Sequence, residues 1–162
     1  VRLPTSALGL ALSKDDNLCH VTGMDGWVHE VEVGSGKTKR VGRHESYAAS
    51  VERLPGTQTL VSAGYDGRLI WHDLAKRNVI REVKAHDFWS WQMKVSTDGT
   101  KLASVTGRYA CGGYKYEPAP EAEPSVLVTT RPPVSPWPSS PMCRRYSRWR
   151  LALTTAFWLP AT

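Results

Sequence analysis

The sequence predicts an all-β chain. Three observations carry this. Short landmarks recur with a period near 42 residues. Small or β-branched apolar runs end at glycine-containing turns. No stretch of residues 1–128 sustains the 3.6-residue apolar period of a helix.

The repeat is read from four landmarks. Leu18-Cys19-His20-Val21-Thr22-Gly23 recurs as Leu102-Ala103-Ser104-Val105-Thr106-Gly107, an offset of 84. Leu60-Val61-Ser62-Ala63-Gly64 lies midway, 42 from each leucine. Met24-Asp25-Gly26 matches Tyr65-Asp66-Gly67 at 41, and His44 and His86 are 42 apart.

Each element follows from local chemistry. Ser13-Lys14-Asp15-Asp16, Pro55-Gly56 and Ser96-Thr97-Asp98-Gly99 are polar turns just before the leucine runs. Leu60 to Ala63 and Leu102 to Val105 are strands of small and branched residues. Asp66-Gly67 and Gly107 then reverse the chain. Trp27 to Val33 alternates with period two, the mark of a half-buried strand, and Arg68-Leu69-Ile70-Trp71 is its counterpart. Gly34-Ser35-Gly36-Lys37-Thr38 lacks the upstream glycine of a phosphate-binding loop, so it reads as a hairpin-type turn between repeats. The expected units are about 1–33, 34–74 and 75–128, each of about four strands.

This pattern resembles the WD-repeat β-propeller family. In that family a histidine opens the unit, and a Ser-Pro-Asp-Gly-like turn follows ten to thirteen residues later. A small-residue strand, an Asp-Gly turn and a strand ending in Trp-Asp complete it. Here His86 is followed at ten, twelve and thirteen by Ser96, Asp98 and Gly99. His44, Ser62, Asp66 and Trp71-His72-Asp73 occupy similar places in the preceding unit. The Trp-Asp pair is split there: His72 stands where the family's tryptophan falls, with Trp71 one residue early. In the first unit Val31-Glu32 replaces the pair. The resemblance covers about residues 7–128 and implies an incomplete propeller of about three four-stranded blades, truncated at one or both ends. It also implies a buried structural network of His44, Ser62, Asp66, Trp71, His86 and Ser104, with His72 a tolerated substitution. Propellers close with about 4–8 blades, so an isolated three-blade chain is expected to be marginal or sticky.

After Gly107 the third unit lacks its Asp-Gly turn. An inserted loop, 108–124, precedes a resumed strand at Ser125 to Val128. In a propeller that loop shares a face with the loops bearing His44 and His86. Phe88, Trp89, Trp91, Tyr109, Tyr114 and Tyr116 then form a candidate partner-binding face, since aromatic residues are enriched at interface centres. The competing reading buries these rings under the folded-back loop.

The formal charge is +6, but its distribution matters more than its sum. Residues 1–128 carry 16 basic and 15 acidic side chains, a net of +1, while residues 129–162 carry five arginines and no acid. All thirteen glycines lie at or before Gly113, and six of eleven prolines and three of seven tryptophans fall in that last segment. Such an Arg/Pro/Trp-rich tail, with no Glu, Lys, Gln or Gly, differs from an ordinary solvated linker. Out-of-frame translation of a GC-rich coding sequence gives this composition. The alternatives are an inert disordered segment or an evolved basic tail whose Arg, Trp and Tyr stack bases and meet phosphates, or bind an anionic surface.

Other chemistry is sparse. Cys19, Cys111 and Cys143 have no paired spacing, and His20, His29, His44, His72 and His86 have no zinc-type spacing. No metal or cofactor is expected, and a reducing, cytoplasmic compartment fits the cysteines. No apolar run is long enough to span a bilayer. No Gly-x-Ser-x-Gly elbow is present, and Glu117, Glu121 and Glu123 lie in a proline-broken loop. The expected function is a non-enzymatic protein-interaction scaffold. The alternatives are a regulatory or sensor propeller domain of a larger enzyme, and nucleic-acid binding through the tail.

Overall fold

A computed structural model describes residues 1–107 and 125–130, and among these residues it is all β. The insertion 108–124 and residues 131–162 lie outside the described residues.

Among the described residues, eleven strands make three antiparallel sheets. The first holds β1 (Ala7–Leu12), β2 (Leu18–Gly23), β3 (Trp27–Glu32) and β4 (Thr38–Arg43). The second holds β5 (Ala48–Arg53), β6 (Thr59–Gly64), β7 (Arg68–Asp73) and β8 (Asn78–Lys84). The third holds β9 (Ser90–Val95), β10 (Lys101–Thr106) and β11 (Val126–Thr130). Strands follow chain order within each sheet, so each is a meander, and in the first two sheets every connection is a local hairpin.

The repeat seen in the sequence is a repeat of hydrogen bonds. Three polar turns close alike: Ser13 N donates to Leu18 O at 2.8 Å, Leu54 N to Thr59 O at 2.9 Å, and Ser96 N to Lys101 O at 2.9 Å. In the last of these the Asp98 carboxylate accepts from the Ser96 hydroxyl at 2.5 Å and from Thr100 N at 3.0 Å. Gly26 and Gly67 take the left-handed φ values of +80° and +70° that the two Asp-Gly turns require. Register shifts at Ala7/Gly9 and at Ala48/Ser50 place the same bulge in β1 and β5.

Strand alternation divides each sheet into two faces. Val28 of the first sheet packs with Val51 and Leu60 of the second, and Ala11 and Val41 border them. Val61, Ala63 and Leu69, on the opposite face of the second sheet, pack with Met93 and Leu102 of the third. The consecutive residues Leu60, Val61, Ser62 and Ala63 are all fully buried, because the sheet they form is covered on both sides. Burying each such aliphatic side chain contributes about 1.5–3 kcal/mol.

The structure departs from the sequence reading in two ways. Gly34 to Thr38 joins β3 to β4 inside the first sheet, not one repeat to the next. Both fourth strands, β4 and β8, lie beyond the expected unit ends at 33 and 74, because these exposed edges carry polar side chains that hide a strand pattern. Likewise β11 continues two residues past 128. Thr129 and Thr130 are β-branched and pair with Leu102 and Lys101.

Candidate functional site

The most ordered polar feature begins at the Asp66-Gly67 turn. Asp66 caps its own turn by accepting Arg68 N at 3.0 Å, and it accepts Glu45 N from the loop before β5, also at 3.0 Å. His44, on that loop, donates its backbone N–H to Gly26 O at 2.9 Å, tying it to the turn of the first sheet. Its side chain enters a slot that only glycine allows: a Cβ at Gly64 would stand 2.4 Å from His44 Nδ1. The imidazole thereby reaches Asp66 at 3.0 Å through Nδ1 and Ser62 Oγ at 2.8 Å through Nε2. Ser62 Oγ in turn lies 2.8 Å from His72 Nε2.

One proton arrangement satisfies every link. The Asp66 carboxylate accepts His44 Nδ1–H, so neutral His44 offers Nε2 as an acceptor to the Ser62 hydroxyl. Ser62 Oγ then accepts His72 Nε2–H. All donors point toward Asp66, and each bond polarises the next. The chain ends at His72 Nδ1, which is buried with no hydrogen-bond partner. Gly42 of β4 closes over this ring: a Cβ there would lie 2.2 Å from His72 Cε1.

Electrostatics follow from burial. Desolvation raises the Asp66 carboxyl, but the hydrogen bond from His44 and those from the N–H groups of Arg68 and Glu45 outweigh it, leaving Asp66 below its usual range. Burial, with nearby His44 and His20, brings His72 down to about 4. His20 is lowered by burial and by Arg53, against the opposing pull of Glu30. Its Nε2 stands 3.4 Å from the Glu30 carboxylate without forming a hydrogen bond of good geometry.

Aspartate, histidine and serine in this order are also the groups that activate a serine nucleophile. Here Ser62 is 0 % exposed, and imidazoles flank its oxygen on both sides. A substrate has no path to it. A cavity between the second and third sheets, bordered by Leu69, Trp71, Leu102 and Leu127, measures about 50 Å³, well below the size of a ligand site. Among the described residues no group of three or more His, Cys, Asp or Glu side chains is placed to hold a metal ion. Among the described residues no helix is long and apolar enough to cross a membrane. Cys19 is a free thiol.

The third unit carries part of the same chain: His86 Nε2 meets Ser104 Oγ at 2.8 Å. Thr129 takes the ladder place of His72, opposite Leu102 as His72 is opposite Leu60. Arg108 follows at the 42-residue offset from Asp66 and lies outside the described residues. The structure thus brings His44, Ser62 and Asp66 together, and His86 to Ser104. Trp71 stands apart, packed on the opposite face against the Leu69–Met93 cluster. The position expected to be a tolerated substitution, His72, is the fourth member instead. Strand parity explains this, because Leu60 and His72 are cross-strand partners and Trp71 points to the other side.

A second feature sits beside the same turn. Tyr65 stacks on Trp89 at 4.9 Å between centroids, and Trp89 stacks on Phe88 at 4.7 Å. Trp91 meets the edges of Tyr65 and Trp89, both at 5.3 Å. Tyr47 joins Tyr65 at 5.6 Å and is 41 % exposed, while the other four rings are half-buried. Thr106 Oγ1 donates to Trp89 O at 2.7 Å and Trp91 Nε1 to Gly107 O at 3.0 Å, so the end of β10 holds the Trp89 backbone and the Trp91 indole. Phe88, Trp89 and Trp91 were expected here. Tyr47 and Tyr65 were missed, although they flank the His44 and Asp66 landmarks. Tyr109, Tyr114 and Tyr116 lie outside the described residues.

No protein-family model matches this chain, and no curated protein is significantly similar to it.

Proposed function

We propose that the chain is a non-enzymatic interaction platform, its three sheets being successive blades of a WD-repeat-type propeller. One observation carries the reading: the Asp66–His44–Ser62–His72 chain, repeated in part as His86–Ser104, locks the loops at one end of two sheets. A buried, satisfied polar chain fixes geometry, and its sealed serine offers no chemistry. What it fixes here is the loop set bearing Tyr47, Tyr65, Phe88, Trp89 and Trp91. Pre-ordered, half-exposed aromatic rings are the groups that anchor protein contacts at low entropic cost.

Panning a displayed peptide library against the immobilised chain tests this. Enriched peptides are expected to bind at least about 30-fold more weakly to Trp89→Ala, the loss of a hot-spot anchor worth about 2 kcal/mol. Tyr47→Ala, at the exposed edge, gives a smaller loss with the fold untouched. Peptides that bind both variants as well as the parent chain would overturn the assignment.

A further inference from the structure

The two outermost sheets each leave one face open. On the first, Leu10 and Leu12 point away from the second sheet and are 68 % and 51 % exposed. On the third, Val126 and Val128 point away from the second sheet and are 55 % and 58 % exposed.

These faces are the two halves of an interface that the chain already makes twice. The register places Leu10 opposite Val21 as Val51 is opposite Ser62, and Leu12 opposite Cys19 as Arg53 is opposite Leu60. Leu10, Leu12 and Cys19 therefore stand where the second sheet presents Val51, Arg53 and Leu60 to its predecessor. Likewise Val105 pairs with Val126 and Ala103 with Val128, as Ala63 pairs with Leu69 and Val61 with Trp71. Val61, Ala63 and Leu69 are the residues with which the second sheet covers its successor. Among the described residues, one chain thus carries an open leading face and an open trailing face, matched in strand order.

We infer that two copies of this chain associate head to tail, the Val126–Val128 face of one covering the Leu10–Leu12 face of the next. The contact continues the sheet-on-sheet stacking within each copy. It is heterologous, with different surfaces meeting, so it closes into a ring or propagates according to the rotation between copies.

Analytical ultracentrifugation of the full chain over a dilution series tests this. The wild type is expected to sediment as two or more copies and to dissociate on dilution. Leu10→Lys and Val128→Lys each remove one half of the contact, so each alone is expected to be monomeric, with self-association weakened at least 100-fold. Mixed in equal amounts, they retain one good half each and are expected to form a 1:1 pair that grows no further. Both substitutions are at exposed positions, and a thermal melt of each variant checks the fold. Leu12→Lys or Val126→Lys replaces any variant that does not fold. A wild type monomeric at every concentration would overturn the inference. So would variants that still self-associate alone, or a mixture of folded variants that stays monomeric.

Discussion

His44→Ala is expected to destabilise the chain by about 3–5 kcal/mol, because it leaves a buried carboxylate and a buried hydroxyl each short of a hydrogen-bond partner. His44 is 1 % exposed and holds two groups at once, Asp66 at 3.0 Å and Ser62 at 2.8 Å. Alanine leaves the Asp66 carboxylate, whose side chain is 5 % exposed, with two backbone N–H groups and no imidazole donor. It also strips Ser62 of the acceptor for its hydroxyl and opens a void beside Gly64. A urea titration reads the effect as a midpoint lower by more than about 1 M, given slopes of about 1–3 kcal/mol/M. A shift worth less than about 1 kcal/mol would mean that the chain of bonds does not hold the loops. Ser62→Ala leaves the carboxylate its imidazole donor and is expected to cost less, about 1–3 kcal/mol.

Acid is expected to weaken the fold in a window set by buried imidazoles. An unfolded histidine titrates near 6.5, whereas burial, with His44 and His20 nearby, holds His72 down to about 4. Between those values the unfolded chain binds a proton that the folded chain refuses. Stability is therefore full above pH 6.5 and falls as pH drops toward about 4, by on the order of 3 kcal/mol from His72 alone. His20, lowered by burial and Arg53, acts in the same direction. Asp66 adds a later loss. Its folded value is depressed, so its contribution persists above the ordinary carboxylate range and disappears as pH falls through the folded value. Thermal melts from pH 8 to pH 4 are expected to show a falling Tm. His72→Gln keeps an N–H donor for Ser62 but does not titrate, and it should flatten the upper part of that fall. A Tm level between pH 6.5 and pH 4.5 would contradict the account.

Much of the fold was legible in the sequence because a repeat is a physical constraint written several times. The Asp-Gly turns, the polar turns before Leu18, Leu60 and Leu102, and the small-residue strands each rest on backbone chemistry that few residue types satisfy. The fourth strands were hidden for the opposite reason. An exposed edge such as Asn78–Lys84 needs no apolar alternation. The polar chain was legible through His44, Ser62 and Asp66, whose spacing repeats. His72 was not, because a single histidine beside a tryptophan draws the eye to the ring that is usually structural. The decision between them is one of strand parity, fixed only once Leu60 and His72 pair across the sheet. The aromatic end was half visible. Phe88, Trp89 and Trp91 are adjacent in sequence, whereas Tyr47 and Tyr65 reach them only through the packing of two sheets.

The protonation of the histidines tests the central claim most directly, because the polar chain requires one tautomer at each end. Long-range nitrogen–proton NMR of the imidazoles at pH 7.5 is expected to show the His44 proton on Nδ1, facing Asp66, and the His72 proton on Nε2, facing Ser62. Finding the His44 proton on Nε2 alone would set the Nδ1 lone pair against the Asp66 carboxylate, and would break the sequence of bonds from Asp66 to His72 and with it the structural account of this site.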